Sequence, residues 1–274
     1  MTRLAVVVTT YNRPDALERV LSAYLSQADL DIELLVADDG STDDTRRVVE
    51  RFAERTAFPV HHVWHADDGF RAGAIRNRAV ARTAADYIVF TDGDCVPLSG
   101  FVAGHRALAE RGWFVAGNRA LLSERLTRSV LQQQARLETW SRFDWARAFL
   151  RRDVNRIAPL WTRDLPDARG WRRRQPARWE GAKSCNLGVW REDLVRVNGF
   201  DEAYSGWGLE DSDLVVRLLH AGVRHKNGRF GTPLAHLWHA ENDRSRLDEN
   251  RRQLDALIAS RRSRAAVGLD RHGA

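Results

Sequence analysis

The chain has 274 residues, of which 43% are hydrophobic and 29% are charged, and its formal net charge is +6. This composition is typical of a globular protein with a sizeable core, and the length suffices for one large domain or two small ones. No apolar run approaches the roughly 18 residues of a membrane-spanning helix, and two cysteines cannot form a disulfide framework.

The N-terminus leads directly from Met1-Thr2-Arg3 into a short apolar run without a small-residue cleavage site, which predicts no signal peptide. We therefore expect a cytoplasmic protein. Arginine clusters in FLRRDVNR, WRRRQPARW and ASRRSRAA. Such clusters form either a solvated surface or a contact for nucleic acid, anionic lipid or a phosphorylated substrate.

The first hundred residues alternate between strands and helices. The buried runs LAVVVT, ELLVAD, VHHVWH and YIVFTD predict four strands. Pro14 begins the first helix, Ser41 and Asp44 form the pattern of a capping box for a helix over 43–54, and AGAIRNRAVART predicts a third. This order predicts an α/β fold with a mostly parallel, doubly wound sheet, in which ligands bind beyond the carboxyl ends of the strands.

The rest of the chain is less regular in pattern. Residues 118–155 predict a long arginine-rich helix, and residues 160–180 predict irregular structure. We expect a polar helix after Asn242 and disorder in the last ten residues. Tryptophan and arginine alternate in the 140–180 region, which suits a membrane interface or a surface on which sugars stack. The tryptophans of this region are Trp140, Trp145, Trp161, Trp171 and Trp179.

Polar residues follow each predicted strand of the first half, and the fourth strand runs into Asp92-Gly93-Asp94. Two carboxylates on a strand end repel each other unless a cation lies between them, and hard oxygen ligands suit Mg²⁺ or Mn²⁺. Gly93 permits a close approach of the backbone. Such a turn also occurs as a solvated loop, but a metal here would hold an anionic ligand such as a diphosphate.

A second group of acids lies in GWGLEDSD. On a helix that begins at about Glu210, Asp211 heads the apolar face, whereas Asp213 shares its side with Arg217 and is assigned to solvent. An inward carboxylate at a helix N-terminus is a candidate general base. The alternative is that Glu210 and Asp211 only satisfy the first-turn amides, which does not explain Trp207 between two glycines.

The stretch PLAHLWHAEN supplies two histidines. In a strand, His236 and Trp238 point to one face and His239 to the other. A neutral imidazole is a suitable third ligand for Mn²⁺, so either histidine could complete a site with Asp94.

These motifs together resemble the family 2 glycosyltransferases, an inverting group with the GT-A fold. VVVTTYNRP, LLVADDGSTDDT, GAIRNRAV, YIVFTDGD and LEDSD appear in that family's order, within residues 4–98 and 179–240. The stretch 179–218 is also similar to β-1,4-galactosyltransferases and to bacterial chondroitin-type polymerases. The resemblance implies a GT-A domain with a single mostly parallel mixed sheet. Its implied divisions are a glycosyltransferase domain 1–240, made of a nucleotide-binding half 1–98, a helical and Arg/Trp-rich segment 99–178 and an acceptor half 179–240, and a C-terminal helix and tail 241–274.

The resemblance also implies roles for single residues. Asp39 would accept the uracil N3–H, Asp211 would be the catalytic base, and Asp94 with His239 would bind Mn²⁺ or Mg²⁺. The residues implied in substrate binding are Thr9, Tyr11, Arg13, Asp39, Arg76, Asp92, Asn186, Trp207 and Glu210. Lys183 replaces a common Gly or Asn beside the sugar pocket, which leaves the donor sugar open.

The implied function is inverting, metal-dependent transfer of a hexose or N-acetylhexosamine from a UDP-sugar to a glycan or lipid-linked acceptor, in synthesis of bacterial envelope polysaccharide or lipopolysaccharide. Peripheral contact with the inner face of the cytoplasmic membrane is expected. A processive synthase is one alternative, since QPARW resembles its Q-x-x-R-W motif, but here the motif precedes Asp211. A sugar-nucleotide pyrophosphorylase would need a glycine-rich loop where TTYNRP stands. No motif supports nucleic-acid binding.

Overall fold

A computed structural model describes residues 2–157, 167–240 and 243–273. The strands are β1 Leu4–Thr10, β2 Ile32–Asp38, β3 Val60–Trp64, β4 Tyr87–Asp92, β5 Cys95–Pro97, β6 Trp113–Ala116, β7 Ala120–Leu121, β8 Asn186–Trp190, β9 Arg224–Asn227 and β10 Leu234–His236. The α-helices are α1 Pro14–Tyr24, α2 Asp43–Ala53, α3 Ala72–Arg82, α4 Phe101–Leu108, α5 Glu124–Leu131, α6 Arg142–Leu150, α7 Arg191–Val197, α8 Glu210–His220 and α9 Leu247–Ser260. Short 3₁₀ turns occupy Leu137–Thr139, Ala168–Arg173 and Leu269–His272.

Seven strands form one sheet in the order β3-β2-β1-β4-β8-β6-β9. The four strands predicted for the first hundred residues are all present and mutually parallel, and β8 enters antiparallel between β4 and β6. Two apolar clusters cover the two faces of this sheet. The predicted α/β fold with a mostly parallel sheet is therefore confirmed. Across the described ranges, no helix combines the length and apolar character needed to cross a bilayer.

The register of the sheet brings the predicted polar residues to one edge. Thr10 pairs with Asp38 and Thr9 with Asp92, so the ends of β1, β2 and β4 lie side by side. Gly93 follows directly, and its amide donates to the Thr9 carbonyl at 2.7 Å. A Cβ at Gly93 would stand 2.9 Å from Thr10 Oγ1, so the glycine is required for this close approach.

A second sheet, ordered β5-β10-β7, lies beyond this edge. β10 runs antiparallel to β5, and His236 stands directly opposite Cys95. Next to this pair, the Leu237 amide donates to the Asp94 carbonyl at 2.9 Å. The small sheet thereby fixes the histidine segment against the acidic turn after β4.

Two local predictions were wrong. The Ser41–Asp44 capping box does not form: α2 has Thr42 as N-cap, and Ser41 Oγ instead accepts from the Asn12 amide at 2.8 Å. The long helix over 118–155 is divided into β7, α5, a 3₁₀ turn and α6. Ser141 begins α6 with a capping box, which starts a new helix instead of continuing the earlier one.

The solvent face predicted for α8 is also wrong. Asp213 and Arg217 are 1% and 0% exposed, and Arg217 Nε donates to Asp213 Oδ1 at 2.6 Å. Arg217 Nη1 also donates to the carbonyls of Val197 and Gly199. The segment after α7 therefore covers a face that helical periodicity alone assigns to water.

Removing the charge of Arg217 should destabilise the fold strongly. Arg217→Met leaves Asp213 buried without its partner, so we expect the free energy of unfolding to fall by about 3–5 kcal/mol in urea titrations. Arg251→Met on the exposed side of α9 is the matched control and should change stability by no more than about 0.5 kcal/mol. A similarly small loss for Arg217→Met would contradict a structural role for this pair.

The end of the chain is ordered as far as Gly273, contrary to the disorder predicted for the last ten residues. Leu269 is 1% exposed and packs into the main core. His272 Nε2 lies 2.7 Å from Glu202 Oε1, and the Asp270 amide donates to Asn198 Oδ1 at 2.9 Å. One buried leucine in a polar tail was too weak a signal to predict this docking.

Candidate active site

Arg76 lies at the centre of the sheet edge that the carboxyl ends of β1, β2 and β4 form, where the acidic residues gather. It projects from α3 with its side chain 5% exposed. Nε donates to Thr9 Oγ1 at 2.9 Å, Nη1 to Glu210 Oε1 at 3.1 Å and Nη2 to Asp92 Oδ1 at 3.2 Å. One guanidinium therefore joins three residues from β1, β4 and α8, all of which the sequence placed in a substrate site.

More carboxylates surround Arg76 than its single positive charge can neutralise. Burial raises the pKa of Asp92, with Arg76 opposing the rise and Asp94 adding to it. Burial and the neighbouring Asp211 likewise raise the pKa of Glu210, again against Arg76. An excess of partly desolvated carboxylates is an environment that binds cations and hydroxyl groups.

Asp94 lies between two imidazoles. Its Oδ2 is 3.4 Å from His236 Nε2 and 3.3 Å from His239 Nε2. Its Oδ1 is buried and has no hydrogen-bond partner among the described residues. Burial alone would raise the pKa of Asp94, but hydrogen bonding and charge from His236 and the charge of His239 lower it below its usual value.

The expected alternation of the histidines does not hold. Strand β10 ends at His236, so the two-residue repeat does not extend to His239, and both side chains reach the same carboxylate. One carboxylate with an unpartnered oxygen and two imidazoles is a donor set that fits Mn²⁺ well and Mg²⁺ less well.

Asp211 is the second residue of α8, lies on the inward side as predicted and is 7% exposed. Its hydrogen bonds are long: Lys183 Nζ and Ser212 Oγ lie 3.5 and 3.3 Å from Oδ1, and the Ser184 amide lies 3.4 Å from Oδ2. Leu209, the residue before α8, has φ +75°, an uncommon value for a residue with a side chain. Trp207 lies in this turn, with the Arg244 guanidinium 5.2 Å from its ring centre.

The other end of the edge is formed by Asp39, which is 4% exposed. Its Oδ1 lies 2.6 Å from His65 Nε2, and its Oδ2 accepts from the Arg71 amide at 2.9 Å. Burial raises the pKa of Asp39 in spite of these hydrogen bonds. Nearby, Tyr11 is 49% exposed, and its hydroxyl donates to Asp67 Oδ2 at 2.9 Å.

His65 was missed by the sequence analysis. It is the first residue after β3 and is 5% exposed, and its buried Nδ1 has no hydrogen-bond partner in the described part of the chain. The sequence did contain a signal for this residue. His65 directly follows a predicted parallel strand, the neighbour of the strand that precedes Asp39, and ligands bind beyond the carboxyl ends of such strands.

Two residues that the resemblance implies in substrate binding do not point toward the acids around Arg76. Arg13 pairs with Asp15, with 3.0 Å between Nε and Oδ1. Asn186 is fully buried, and its Nδ2 donates to the carbonyls of Asn118 and Thr232. Its Oδ1 lies 2.9 Å from His105 Nε2, so the amide bridges elements inside the protein.

The buried His105 should make stability pH-dependent. Burial lowers its pKa from 6.5 to about 4, although the hydrogen bond to Asn186 opposes this. Below 6.5 the unfolded chain binds a proton that the native state refuses, so stability is lost as pH falls. Urea titrations across this window should show a His105 contribution of about 3 kcal/mol. His105→Gln should flatten the slope, and an unchanged slope would contradict the assignment.

The Arg/Trp segment is more internal than its composition suggested. Trp145 is fully buried, and Trp140 packs edge-on against it. Arg172 is 3% exposed and donates to the carbonyls of Asn227 and Arg229. The predicted sugar-stacking or membrane surface is therefore wrong for Trp145 and Arg172, and Trp161 lies outside the described residues.

Comparison with known proteins identifies the family. Residues 5–176 match the family model Glycosyl transferase family 2, and residues 172–239 match one described as the N-terminal domain of galactosyltransferase. The first match covers more than half of the chain, which therefore belongs to glycosyl transferase family 2 and contains a transferase domain. The resemblance inferred from the motifs is confirmed.

One curated relative is the validoxylamine A glucosyltransferase of Streptomyces hygroscopicus subsp. limoneus, which is 29% identical over 229 residues. The match covers 80% of this chain and 48% of that enzyme, so the chain spans about half the length of this relative.

Two solved structures share the fold. The mannosyltransferase PcManGT from Pyrobaculum calidifontis, solved with GDP-Man and Mn²⁺, has a TM-score of 0.60 and 19% identity, with 94% of this chain and 63% of that chain covered. S. aureus TarS in complex with UDP has a TM-score of 0.62 and 14% identity, with 98% and 68% covered. The fold is that of the GT-A glycosyltransferases.

Proposed function

We propose that this protein is an inverting, metal-dependent glycosyltransferase that moves a hexose or N-acetylhexosamine from a UDP-sugar to a hydroxyl of a glycan or lipid-linked acceptor. The observation that carries the proposal is the Asp94 carboxylate. One of its oxygens is buried with no hydrogen-bond partner among the residues that the structure describes, and two imidazoles lie within 3.4 Å of the other oxygen. It lies beside the acids joined by Arg76, at the sheet edge where such folds bind ligands.

The nucleotide would bind along the carboxyl ends of β1, β2 and β4. Asp39 would accept the uracil N3–H, a hydrogen bond that cytosine cannot supply, and Tyr11 would frame the base. His65 and the Arg71 amide already bind the Asp39 carboxylate and fix its orientation. The solved TarS complex with UDP supports a uridine nucleotide, whereas the PcManGT complex contains GDP-Man.

The diphosphate would lie over Asp92 and Asp94. Asp94, His236 and His239 would hold Mn²⁺ or Mg²⁺, which when bound would neutralise charge on the departing nucleoside diphosphate. The PcManGT structure with Mn²⁺ supports a divalent cation in this fold. Arg76 keeps Asp92 and Glu210 at the edge of the site and offsets part of their charge.

Asp211 would remove the proton from the acceptor hydroxyl. Its carboxylate faces inward, and its hydrogen bonds with Lys183, Ser184 and Ser212 are all 3.3–3.5 Å long, so it remains able to accept a short hydrogen bond. Glu210 would position the sugar, and closure of the turn around Trp207 would exclude water, the competing acceptor. Attack opposite the leaving group would convert an α-linked donor into a β-glycoside.

Slow hydrolysis of the donor tests this stereochemistry without knowledge of the acceptor. Water that replaces the acceptor hydroxyl attacks from the same side, so proton NMR should show the β-anomer of the free sugar first. Mutarotation would then produce the α-anomer. Initial release of the α-anomer from an α-linked donor would contradict single displacement.

We also propose that the lipid-linked acceptor is presented at an anionic membrane surface that contacts α6. Phe143 and Leu150 are each 82% exposed, lie seven residues apart on one helical face and flank Arg147. The opposite face is anchored by the buried Trp145. Apolar side chains next to arginine suit the interface of a bilayer.

Vesicle sedimentation tests this surface. The wild-type chain should sediment with vesicles of phosphatidylglycerol and phosphatidylcholine, and Phe143→Ser with Leu150→Ser should abolish sedimentation. The pair Leu30→Ser and Ile258→Ser, which changes exposed apolar residues elsewhere, is the matched control. Equal sedimentation of all three proteins would contradict the assignment of α6.

A further inference from the structure

We propose that the site around Asp94 and His236, here called the Asp94 centre, also binds Zn²⁺ through the thiol of Cys95. Zinc held in this way would inhibit sugar transfer supported by Mn²⁺ or Mg²⁺. The inhibition rests on the proposed function; the zinc site itself does not. A harder cation would use the carboxylate and imidazoles, whereas a thiophilic cation would add the sulfur.

The pairing of β5 with β10 places the thiol at the centre. Cys95 follows Asp94 in the chain, and His236 is its partner across the small sheet. One ligand atom each from Asp94, Cys95 and His236 lie within 4.8 Å of one another. His239 Nε2 lies 3.3 Å from Asp94 Oδ2 but is not part of this group of three.

The chemistry of this donor set favours zinc over magnesium. A carboxylate, a thiolate and an imidazole are typical zinc donors, while Mg²⁺ prefers oxygen ligands alone. Cys95 is fully buried, so a metal on this thiol is shielded from competing water. The unpartnered Oδ1 of Asp94 is buried as well and can serve as the carboxylate donor.

The second thiol of the chain is a poorer ligand. Cys185 lies within 4.8 Å of Cys95 and of an Asp92 oxygen, as measured between possible ligand atoms. Arg119 Nη1 is 2.7 Å from Cys185 Sγ, and Arg76 Nη2 is 3.2 Å from Asp92 Oδ1. Two guanidinium groups thus oppose a cation there, which assigns the metal to the Asp94 side.

Inhibition follows from shared ligands. Zinc on Asp94, Cys95 and His236 would occupy two of the three residues that would hold Mn²⁺, namely Asp94 and His236. Zinc bound there would therefore exclude Mn²⁺ from the site.

Cobalt(II) titration of the full chain tests the ligand directly, because a thiolate bound to cobalt gives an intense near-ultraviolet charge-transfer band. The chain has two cysteines, so Cys185→Ser leaves Cys95 as its only thiol. We expect the band in wild type and in Cys185→Ser, its loss in Cys95→Ser and its displacement by Zn²⁺. Absence of the band from Cys185→Ser would overturn the proposal, even if Cys95→Ser failed to fold.

Binding and activity complete the test. Cys95→Ser should weaken Zn²⁺ binding by about 100-fold or more, since loss of even an outer-shell partner costs about 10–100-fold. It should also relieve zinc inhibition of Mn²⁺-dependent UDP-sugar hydrolysis, and equal inhibition of wild type and Cys95→Ser would refute the regulatory part. A cobalt band without nucleotide binding would refute the proposed function alone. Nucleotide binding without a band would refute the zinc site alone.

Discussion

Replacing Asp94 with asparagine should lower the rate of sugar transfer by about 10³-fold. Asparagine preserves the size of the side chain but removes the charge that two imidazoles and a metal ion would share. A bound cation contributes several kcal/mol of transition-state stabilisation, and about 4 kcal/mol corresponds to this factor. Initial rates of UDP-sugar hydrolysis, measured over a range of Mn²⁺ concentrations, provide the readout.

Two controls accompany Asp94→Asn. Asp255→Asn changes the same functional group on the exposed side of α9 and should leave the rate unchanged. Isothermal titration should show weaker Mn²⁺ binding for Asp94→Asn alone. A variant that retains wild-type activity and wild-type Mn²⁺ affinity would show that Asp94 is not a metal ligand.

Asp211→Asn should reduce kcat by about 10²–10⁴-fold, the usual contribution of a general base. The asparagine keeps the shape at the start of α8 but cannot take a proton from the acceptor. Among the described residues, Asp211 accepts hydrogen bonds from outside α8 only from Lys183 and Ser184, and both are long, so the fold and the affinity for UDP should be retained. Thermal unfolding and UDP titration check both points.

The pattern of kinetic constants separates a base from a binding residue. Loss of a base lowers kcat with little change in the donor KM, whereas loss of a binding contact raises KM. Asp255→Asn again serves as the matched control on an exposed helix. A kcat within about tenfold of wild type would exclude Asp211 as the base, since the expected loss is larger.

The local sequence pattern predicted those parts of the fold that depend on residues close together in the chain. β-Branched runs gave the four parallel strands, and acids directly after those strands marked the binding edge. The position of Asp211 followed from helical periodicity, because the face of α8 that it heads packs against the sheet.

Contacts between distant segments account for what local pattern missed. The burial of Asp213 and Arg217 depends on the segment that follows α7, which contacts both residues. The position of His65 depends on a strand pairing that places it against Asp39. Arg76 could be recognised as polar on its helix, but its three partners come from three other elements. Composition likewise could not show that Arg172 bonds carbonyls in the interior.

Thermal unfolding in the presence of nucleotides tests the central claim most directly. The wild-type chain would be heated with UDP, UDP-glucose, UDP-galactose, UDP-GlcNAc, UDP-GalNAc or GDP-mannose, each with Mn²⁺ or with EDTA. Ligands that bind the native state raise its unfolding temperature. We predict stabilisation by UDP and one UDP-sugar that requires Mn²⁺ and is lost in Asp94→Asn. No stabilisation by any nucleotide with Mn²⁺ present would mean that the acids after β4 are structural and that the chain does not transfer sugar from these donors.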